Sequence, residues 1–155
     1  MPISSKLVPG AVAAAAASSY DLDVDTEAAA RAWSDAWRRG WVDGDPDLVA
    51  ERYAPEAIFR SHPFREPYLG RAGARDYART ALEGEEDVTA WFGEPVIAGD
   101  RAAVEYWATL LEDGERVTIA GTSMLRFGSD GRVVEHRDYW SIEPGEHRPP
   151  EGWGR

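Results

Sequence analysis

Hydrophobic and polar positions follow two different periods along this chain. Over residues 26–42, the apolar side chains recur every three or four positions, which is the spacing of an amphipathic helix. This apolar stripe consists of Ala30, Trp33, Trp37 and Trp41. Over residues 88–142, apolar and polar residues instead alternate in long runs, as in strands with one buried face. The pattern therefore predicts helices first and a sheet afterwards.

Two further helices and a short strand are predicted between these regions. Asp45-Pro46 starts a helix, because Asp caps a helix well and Pro suits its first position. Residues 57–62 predict a short strand, and residues 71–83 predict the third helix. The N-terminal half therefore supplies three helices and one strand.

Turn signals divide the C-terminal half into a four-stranded meander. They are Gly99-Asp100, Asp113-Gly114 and Ser129-Asp130-Gly131. Strands of about 10–14 residues twist and bend, so this sheet can wrap around the helices. The predicted fold class is α+β, a cone-shaped curved antiparallel sheet of a four-strand meander plus a short strand around three N-terminal helices.

Hairpin register assigns side chains to the two faces of this sheet, because directly paired residues point to the same side. The turn at 113–114 places Tyr106 opposite Gly121 and Val104 opposite Ser123, on a face that is apolar enough to be concave and buried. A two-residue loop at 130–131 would add a further set to that face, whereas a three-residue loop with a bulge would reverse the assignment. That set is Val134, His136, Asp138 and Trp140, with His136 opposite Ser123 and Asp138 opposite Gly121.

The first hairpin predicts that Trp91, Gly93, Pro95 and Ile97 also face inward. The same register pairs Glu94 with Glu105 on the outer face, and like charges in that position are unfavourable. This clash suggests a bulge at Pro95 or a dimer contact.

Composition narrows the range of partners. The formal net charge of −11 disfavours nucleic acid and anionic membrane surfaces. The chain has no Cys, which excludes disulfides and thiolate chemistry. Seven Trp residues are more than a plain core of this size needs, so several are expected around a cavity. An apolar small molecule is the ligand that these features favour.

The ends of the chain differ from its middle. Residues 1–24 are Ala-rich and predict a flexible tail that resembles a secretory signal only weakly, so a cytoplasmic location is expected. Residues 25–143 form the predicted domain, and the Pro-rich residues 144–155 predict a second flexible tail.

Asp138 and His136 are the first candidates for chemistry in this cavity. Gly121 would leave room beside Asp138. An unpaired buried carboxylate costs several kcal/mol, so Asp138 must be paired, protonated or close to water. It could act as a general acid or base, or it could belong to a structural network with His136 or Tyr106.

His62 is a second candidate at the end of the short strand. If residues 58, 60 and 62 alternate inward, His62 could meet Asp138 and act as a general base, with Arg60 beside it. The alternative is that His62 caps the loop before Pro63. A metal site built from His62, His136 and Asp138 lacks any supporting ligand spacing, so neither a metal nor a cofactor is expected.

Other residues are predicted to contact the ligand. Plain core packing is the alternative for the tryptophans of the helix. The predicted substrate-binding residues are Tyr106, Trp91, Trp140, Trp33, Trp37, Tyr53, Ser123, Gly121 and Arg60.

Three segments resemble a known family. They are ARAWSDAWRRGWVDGDPDLVAERYAPEAIFRSHPFREP, GRAGARDYA and GTSMLRFGSDGRVVEHRDYW, and together they span most of residues 26–143. They resemble the SnoaL-like branch of the nuclear transport factor two-like superfamily. The resemblance implies a cone-shaped fold, an apolar pocket and a homodimer through the outer sheet face.

Members of this superfamily include cyclases, isomerases, epoxide hydrolases, dehydratases and non-catalytic binding domains, so the fold does not fix the chemistry. Asp138 in HRDYW matches the last-strand aspartate that acts as acid or base in its cyclases and epoxide hydrolases. The Arg-x-Asp pair of the epoxide hydrolases is missing, since the matching positions hold Val104 and Tyr106. His62 and Arg60 lie near the base position of the ketosteroid isomerases, but neither is the expected Asp.

The sequence thus predicts a cofactor-free enzyme that uses proton transfer on an apolar carbonyl substrate, in a cyclisation, isomerisation or dehydration. Asp138 is the predicted acid or base, assisted by His62 or His136, and Tyr106 is the predicted hydrogen-bond donor. The alternative is a non-catalytic ligand-binding or dimerisation module with the same fold.

Overall fold

A computed structural model describes residues 25–155, and the predicted N-terminal tail at 1–24 lies outside them. The helices are α1 (Thr26–Asp43), α2 (Pro46–Ala50) and α3 (Gly70–Leu82). The strands are β1 (Tyr53–Arg60), β2 (Tyr68–Leu69), β3 (Glu85–Phe92), β4 (Val96–Ala98), β5 (Arg101–Glu112), β6 (Glu115–Phe127) and β7 (Val133–Pro144). No helix among the described residues is both long and apolar enough to cross a bilayer.

Local chemistry sets the bounds of α1. The Asp25 side chain accepts a hydrogen bond from the Ala28 amide at 2.8 Å, which satisfies one of the free donors of the first turn. Gly44 ends the helix at a positive φ of 66°, a conformation that glycine adopts without steric cost. The predicted stripe buries Trp33 and Trp37 against the sheet. Amphipathic spacing and two end signals thus explain this helix.

The strands form one seven-stranded curved sheet, with β2, β1, β7, β6, β5 and β3 in that order and β4 paired to β5. β1 runs parallel to β7, while the other pairs are antiparallel. The predicted α+β fold class is confirmed. The short strands β2 and β4 and the parallel pair are additions that the sequence pattern did not reveal.

The hairpin of β5 and β6 has the predicted register. Tyr106 is opposite Gly121, and Val104 is opposite Ser123. Asp113 and Gly114 form the turn, both at positive φ, as this turn type requires. The assignment of this face to the buried side is therefore confirmed.

The last hairpin keeps the predicted face for His136 and Asp138 but not the predicted register, and it buries Val133 rather than Val134. Asp138 is opposite Ser123 rather than Gly121, and His136 is opposite Leu125. The turn is longer than two residues, because the Gly128 amide donates to the Arg132 carbonyl at 2.8 Å and the pairing shifts next to Phe127. Along the strand this shift moves each partner by two positions, which preserves the side-chain direction.

The first hairpin contains the bulge that the Glu94–Glu105 clash suggested. β3 ends at Phe92 and β4 begins at Val96, so the side-chain alternation restarts between them. Phe92 is opposite Tyr106 on the concave face, and Trp91 is opposite Trp107 on the outer face. The prediction that Trp91 faces inward was wrong, because one extra residue in a strand reverses every preceding side chain.

Residues after β7 lie along the outer face of the sheet. The Trp107 indole N–H donates to the His147 carbonyl at 2.7 Å, and the His147 amide donates to Thr118 Oγ1 at 2.9 Å. The ring of Trp153 lies 6.1 Å from that of Trp107. The division into a domain and a flexible C-terminal tail stays a prediction, but these contacts describe where residues 145–154 lie.

Candidate active site

A cavity of about 370 Å³ lies between the concave face of the sheet and helices α1 and α3. Eight of its twenty lining residues carry Trp, Tyr or Phe rings. The aromatic lining residues are Trp33, Trp37, Trp41, Tyr68, Tyr77, Phe92, Tyr106 and Trp140. The charged or ionisable lining residues are Arg65, Glu83, Glu85, Glu112, His136 and Asp138. An apolar cavity with a few convergent polar groups is the usual form of a small-molecule site.

Asp138 reaches this cavity from the middle of β7. It is only 7% exposed, and its Oδ1 atom accepts a hydrogen bond from Ser123 Oγ at 2.6 Å. The same Oδ1 atom lies 2.6 Å from His136 Nε2. Among the described residues no group is hydrogen-bonded to Oδ2. One carboxylate oxygen is therefore held in place, and the other is free to meet a ligand.

A buried hydrogen-bond network fixes the tautomer of His136. The Tyr53 hydroxyl oxygen accepts from the indole N–H groups of Trp33 at 3.1 Å and Trp37 at 3.0 Å. Its two lone pairs are then occupied, so its own proton must go to His136 Nδ1, which lies 2.8 Å away. The histidine proton consequently sits on Nε2 and is donated to Asp138. Packing and hydrogen bonding thus favour a neutral imidazole that acts as a donor.

Aromatic packing holds the same imidazole in place. His136 is 1% exposed, and its ring stacks on Phe59 with centroids 4.1 Å apart and planes 5° apart. The Trp33 ring meets it edge-on at 5.3 Å. Rotation of the ring would break these contacts together with both hydrogen bonds, so the direction of its Nε2–H is fixed by the fold.

The hydroxyls of the three tyrosines in the cavity wall, Tyr68, Tyr77 and Tyr106, have no partner among the described residues. Two of these tyrosines, Tyr106 on β5 and Tyr77 on α3, lie close enough to Asp138 to feel its charge. Burial raises the pKa of both phenols well above the ordinary range, and the nearby charge of Asp138 adds to the effect. Both groups therefore keep their protons and can donate hydrogen bonds to a ligand oxygen.

The opposite end of the cavity carries two more carboxylates. Glu85 at the start of β3 is directly opposite Glu112 at the end of β5. The Trp41 indole N–H donates to Glu85 Oε2. Burial, together with the charge of Glu112, raises the pKa of Glu85 to about 7 despite the opposing hydrogen bond from Trp41. This carboxyl can therefore change its charge near neutral pH.

Most of the predicted site residues meet in this cavity. Asp138 and His136 are joined by a hydrogen bond, and Tyr106, Ser123, Trp33, Trp37 and Trp140 share the lining with them. Gly121 has a different role from the predicted one. A Cβ there would lie 2.7 Å from both Tyr106 Cζ and Trp140 Cβ, so glycine makes space for these side chains rather than for a ligand.

Tyr53 was predicted to contact the substrate, but it is fully buried and lies outside the cavity lining. Its hydroxyl is already saturated by two donors and one acceptor. Tyr53 can therefore act only through His136, as a positioning residue.

The pair of His62 and Asp138 does not form. In β1 the inward residues are Ala57 and Phe59, because the alternation is opposite to the one predicted, and Arg60 is exposed. His62 Nδ1 instead accepts from the Phe64 amide at 3.2 Å, which is the loop-capping alternative. Among the described residues no group of three His, Asp or Glu side chains could hold a metal ion.

The sequence prediction did not assign a site role to Tyr77, Glu85 or Arg65. The hydroxyl of Tyr77 could not be placed without the packing of α3 on β1. Glu85 lies in the acidic run EGEED, which resembles a solvated loop. The pairing of Glu85 with Glu112 depends on a second register shift, between Glu86 and Thr89, which the alternation of β3 did not reveal.

Comparison with solved structures supports the fold. The epoxide hydrolase/cyclase-like enzyme SalBIII, described in pyran ring formation of the polyether salinomycin, matches with a TM-score of 0.67 and 20% identity, over 78% of this chain and 98% of that one. An LEH-like epoxide hydrolase of M. tuberculosis matches with a TM-score of 0.59 and 18% identity, over 73% and 82% of the two chains. At these identities the likeness shows the fold only.

A third structure is similar to the same extent. A hypothetical protein from Catenulispora acidiphila with a ketosteroid isomerase-like fold, solved with trimethylamine, gives a TM-score of 0.61 and 17% identity, over 69% of this chain and 83% of that one. No curated protein matches the sequence. The family model described as SnoaL-like domain matches residues 30–136, which is most of the region in which the resemblance was found. The chain belongs to the SnoaL-like domain family.

Proposed function

We propose that this protein is a cofactor-free enzyme that transfers a proton on an apolar carbonyl substrate held in the cavity. The observation that carries this proposal is a series of hydrogen bonds from Tyr53 through His136 to Asp138. It ends in a carboxylate oxygen that faces an aromatic wall. Such a chain orients a base before the substrate arrives, and preorganisation of this kind is a main source of catalytic rate.

The proposed step is a proton abstraction next to a carbonyl group. Asp138 Oδ2 takes the proton from the α-carbon, and the electrons of that C–H bond move onto the carbonyl oxygen. The Tyr106 hydroxyl donates a hydrogen bond to the resulting enolate oxygen. Asp138 then returns the proton to the same or another carbon. No oxidant or second reactant is needed, so the step can belong to an isomerisation, a cyclisation or a dehydration.

His136 is a positioning residue in this scheme. Its Nε2–H points at Oδ1, and its Nδ1 is occupied by the Tyr53 proton, so it has no free lone pair for a substrate. It holds one carboxylate oxygen and leaves the basic Oδ2 toward the ligand. Ser123 assists from the neighbouring strand through the second hydrogen bond to Oδ1.

The similar solved structures share the fold and do not define the reaction. SalBIII is described as an epoxide hydrolase/cyclase-like enzyme in pyran ring formation. Epoxide hydrolysis is not proposed here, because Val104 and Tyr106 occupy the inward positions expected for an Arg-x-Asp pair. A homodimer through the outer face and a cytoplasmic location stay predictions.

Deuterium exchange of a simple ketone tests the proposal. The probe 2-tetralone is an apolar bicyclic ketone, and loss of its α-protons in deuterated buffer is followed by proton NMR. We expect the protein to accelerate this exchange and Asp138→Asn to lower the acceleration by about 10²–10⁴-fold. The Asn variant keeps the volume and one hydrogen-bond acceptor, so binding of the probe should be retained.

Two results separate the proposal from its alternative. If the wild-type protein binds 2-tetralone, measured by quenching of Trp fluorescence, but does not accelerate exchange, a non-catalytic binding module is favoured. If Asp138→Asn exchanges as fast as wild type, the base is another group and the proposal is wrong. Tyr106→Phe is expected to slow exchange about 10–10²-fold, because the enolate oxygen loses a donor.

A further inference from the structure

We infer that the ligand of this cavity carries an ammonium group, which binds between Glu85, Glu112 and the ring of Trp41. This inference rests on the proposed function only in holding that an organic molecule occupies the cavity. The ligand would carry a positive charge and bind at a second point, away from Asp138. Glu112 lies eight positions along β5 from Val104, which is paired with Ser123, the partner of Asp138 on β7.

The two glutamates lack a counter-charge. Glu85 and Glu112 are direct cross-strand neighbours with side chains on the same face, an arrangement that is destabilising for like charges. Neither forms an ion pair with any described residue. Arg65 also lines the cavity, but no ion pair joins it to either glutamate. The site therefore holds negative charge that the protein itself leaves unneutralised.

Glu85 is not a freely solvated surface group. It is half-buried, and its Oε2 atom accepts the Trp41 indole N–H. The pKa of Glu85 is raised to about 7 by burial and by Glu112, which measures how poorly its charge is compensated. A ligand cation beside both carboxylates would supply the missing partner and favour the ionised form.

Aromatic rings complete this end of the cavity. The ring of Trp41 lies 6.3 Å from that of Tyr106, and Tyr106 lies 6.1 Å from Phe92. Tyr106 is 7% exposed, and its hydroxyl has no partner among the described residues, so a ligand that extends from Trp41 toward Asp138 can still place an oxygen atom beside it. Trp and Tyr faces attract organic cations, and more strongly where water is excluded.

The combination selects an organic cation over the alternatives. A hydrated metal ion would need further oxygen ligands, and no group of three His, Asp or Glu residues converges here within the described chain. An anion would face Glu83, Glu85 and Glu112 together. The net charge of −11 also raises the local concentration of cations and lowers that of anions. An apolar body with an ammonium group satisfies both the rings and the carboxylates.

Three probes with the same ring system test the charge preference. They are 2-aminotetralin, which is a cation at pH 8, the neutral 2-tetralol, and the anion of 1,2,3,4-tetrahydro-2-naphthoic acid. Their Kd values are measured at low salt by calorimetry or by quenching of Trp fluorescence. We expect the cation to bind at least about tenfold more tightly than the alcohol, and the anion more weakly than either.

Variants then locate the preference. Glu85→Gln combined with Glu112→Gln should bring the Kd values of the amine and the alcohol close together. The matched control is Glu86→Gln, which removes an equal charge one residue away on the other face of β3 and should leave the preference intact. Asp138→Asn should also keep the preference, because that residue lies at the other end of the cavity.

Each contrary result has a definite meaning. Equal binding of amine and alcohol by the wild-type protein contradicts the ammonium site, while ketone exchange by the same sample would leave the proposed function standing. A preference that persists in the double variant, or that disappears in Asp138→Asn, places the cation elsewhere and overturns the inference. Binding of none of the probes contradicts the inference together with the proposed ligand cavity.

Discussion

The two ends of the cavity hold their carboxylates in opposite ways. At the inner end, Asp138 receives two hydrogen bonds on one oxygen, from Ser123 and from His136, and His136 is itself held by Tyr53. At the outer end, Glu85 faces another glutamate and has one indole N–H as its partner. The protein orients the carboxylate of Asp138 by hydrogen bonds, whereas it supplies no positive charge to Glu85 and Glu112, which a ligand cation could provide.

This difference shows what each end can contribute. An oriented carboxylate with one free oxygen can act on a reacting atom, because its position is fixed before binding. An uncompensated pair can contribute binding energy, because a cation relieves an existing repulsion. The first role needs a rigid network, and the second needs only proximity and a low-polarity wall. Substitutions at the two ends should therefore change the free energy of unfolding by different amounts and in opposite directions.

Replacement of His136 should have the largest effect on stability. His136→Phe keeps a ring to stack on Phe59 but removes both nitrogens, so the Tyr53 hydroxyl and Asp138 each lose a partner. We expect the free energy of unfolding to fall by about 3–4 kcal/mol, measured by urea denaturation. His62→Phe is the control and should cost less than about 1 kcal/mol, since it loses one exposed hydrogen bond. Similar losses in both variants would contradict the special role of the inner end.

Tyr53→Phe should have the next largest effect. The change leaves the indole N–H groups of Trp33 and Trp37 without an acceptor in a dry interior, at a cost of about 2–3 kcal/mol. Tyr68→Phe is the matched control, because the Tyr68 hydroxyl has no partner among the described residues, and its stability should be close to that of wild type. Nitrogen NMR of wild-type His136 should show a proton on Nε2 and none on Nδ1. A proton on Nδ1 would contradict the network.

Ser123→Ala should reduce stability by about 1–2 kcal/mol, because Asp138 loses one of its two donors. If Ser123 only positions the carboxylate, the rate of 2-tetralone exchange should fall several-fold while the affinity for the ketone stays the same. Ser141→Ala, on the exposed part of β7, is the control. A change in affinity with an unchanged rate would mean that Ser123 binds the substrate directly.

Glu85→Gln should have the smallest effect, and it should be stabilising. The pKa of Glu85 is higher in the folded protein, at about 7, than its ordinary value of 4.5. The folded state therefore binds the Glu85 proton more tightly than the unfolded state does. Protonation of Glu85 raises the free energy of unfolding fully below about pH 4.5, and this contribution is lost as the pH rises through 7. At pH 8 the Gln variant should be more stable than wild type by about 1 kcal/mol, after allowance for solvent screening.

At pH 4 the same pair of proteins should be equally stable, because Glu85 is then neutral in both states. Denaturation curves at pH 4 and pH 8 test this, with Glu86→Gln as the control that should show no such pH dependence. A Gln variant that is less stable than wild type at pH 8 would mean that the Glu85 charge is already compensated. That result would also weaken the case for the ammonium site.

The quality of the sequence prediction followed the regularity of the turns. The Asp113-Gly114 turn is short and sterically defined, so alternation from it placed Tyr106 and Ser123 correctly. The turn after Phe127 and the bulge after Phe92 contain irregular residues, and a miscount of one residue reverses a face. Asp138 kept its face because its register shift was two positions, while Trp91 moved to the outer face because the bulge shifted the alternation by one.

His62 and His136 show a second reason why the sequence could not predict the whole site. Both were possible partners of Asp138 by composition, and His136 lies two residues away on the same strand. His62 depended on which residues of β1 point inward, and that choice was set by the packing of Phe59 against His136 and Tyr77. A strand of eight residues with apolar side chains on both faces does not reveal its buried side.

The sequence by itself determined the order of the three helices and the long strands, the family, and the register of the Asp113-Gly114 hairpin, because these depend on local periodicity and on turn chemistry. Only the tertiary structure decided that Tyr53 saturates His136, that Oδ2 of Asp138 stays free, and that Glu85 meets Glu112. Each of these depends on side chains from elements far apart in the chain. Their distances are set by how the curved sheet closes on α1 and α3, which no local pattern encodes.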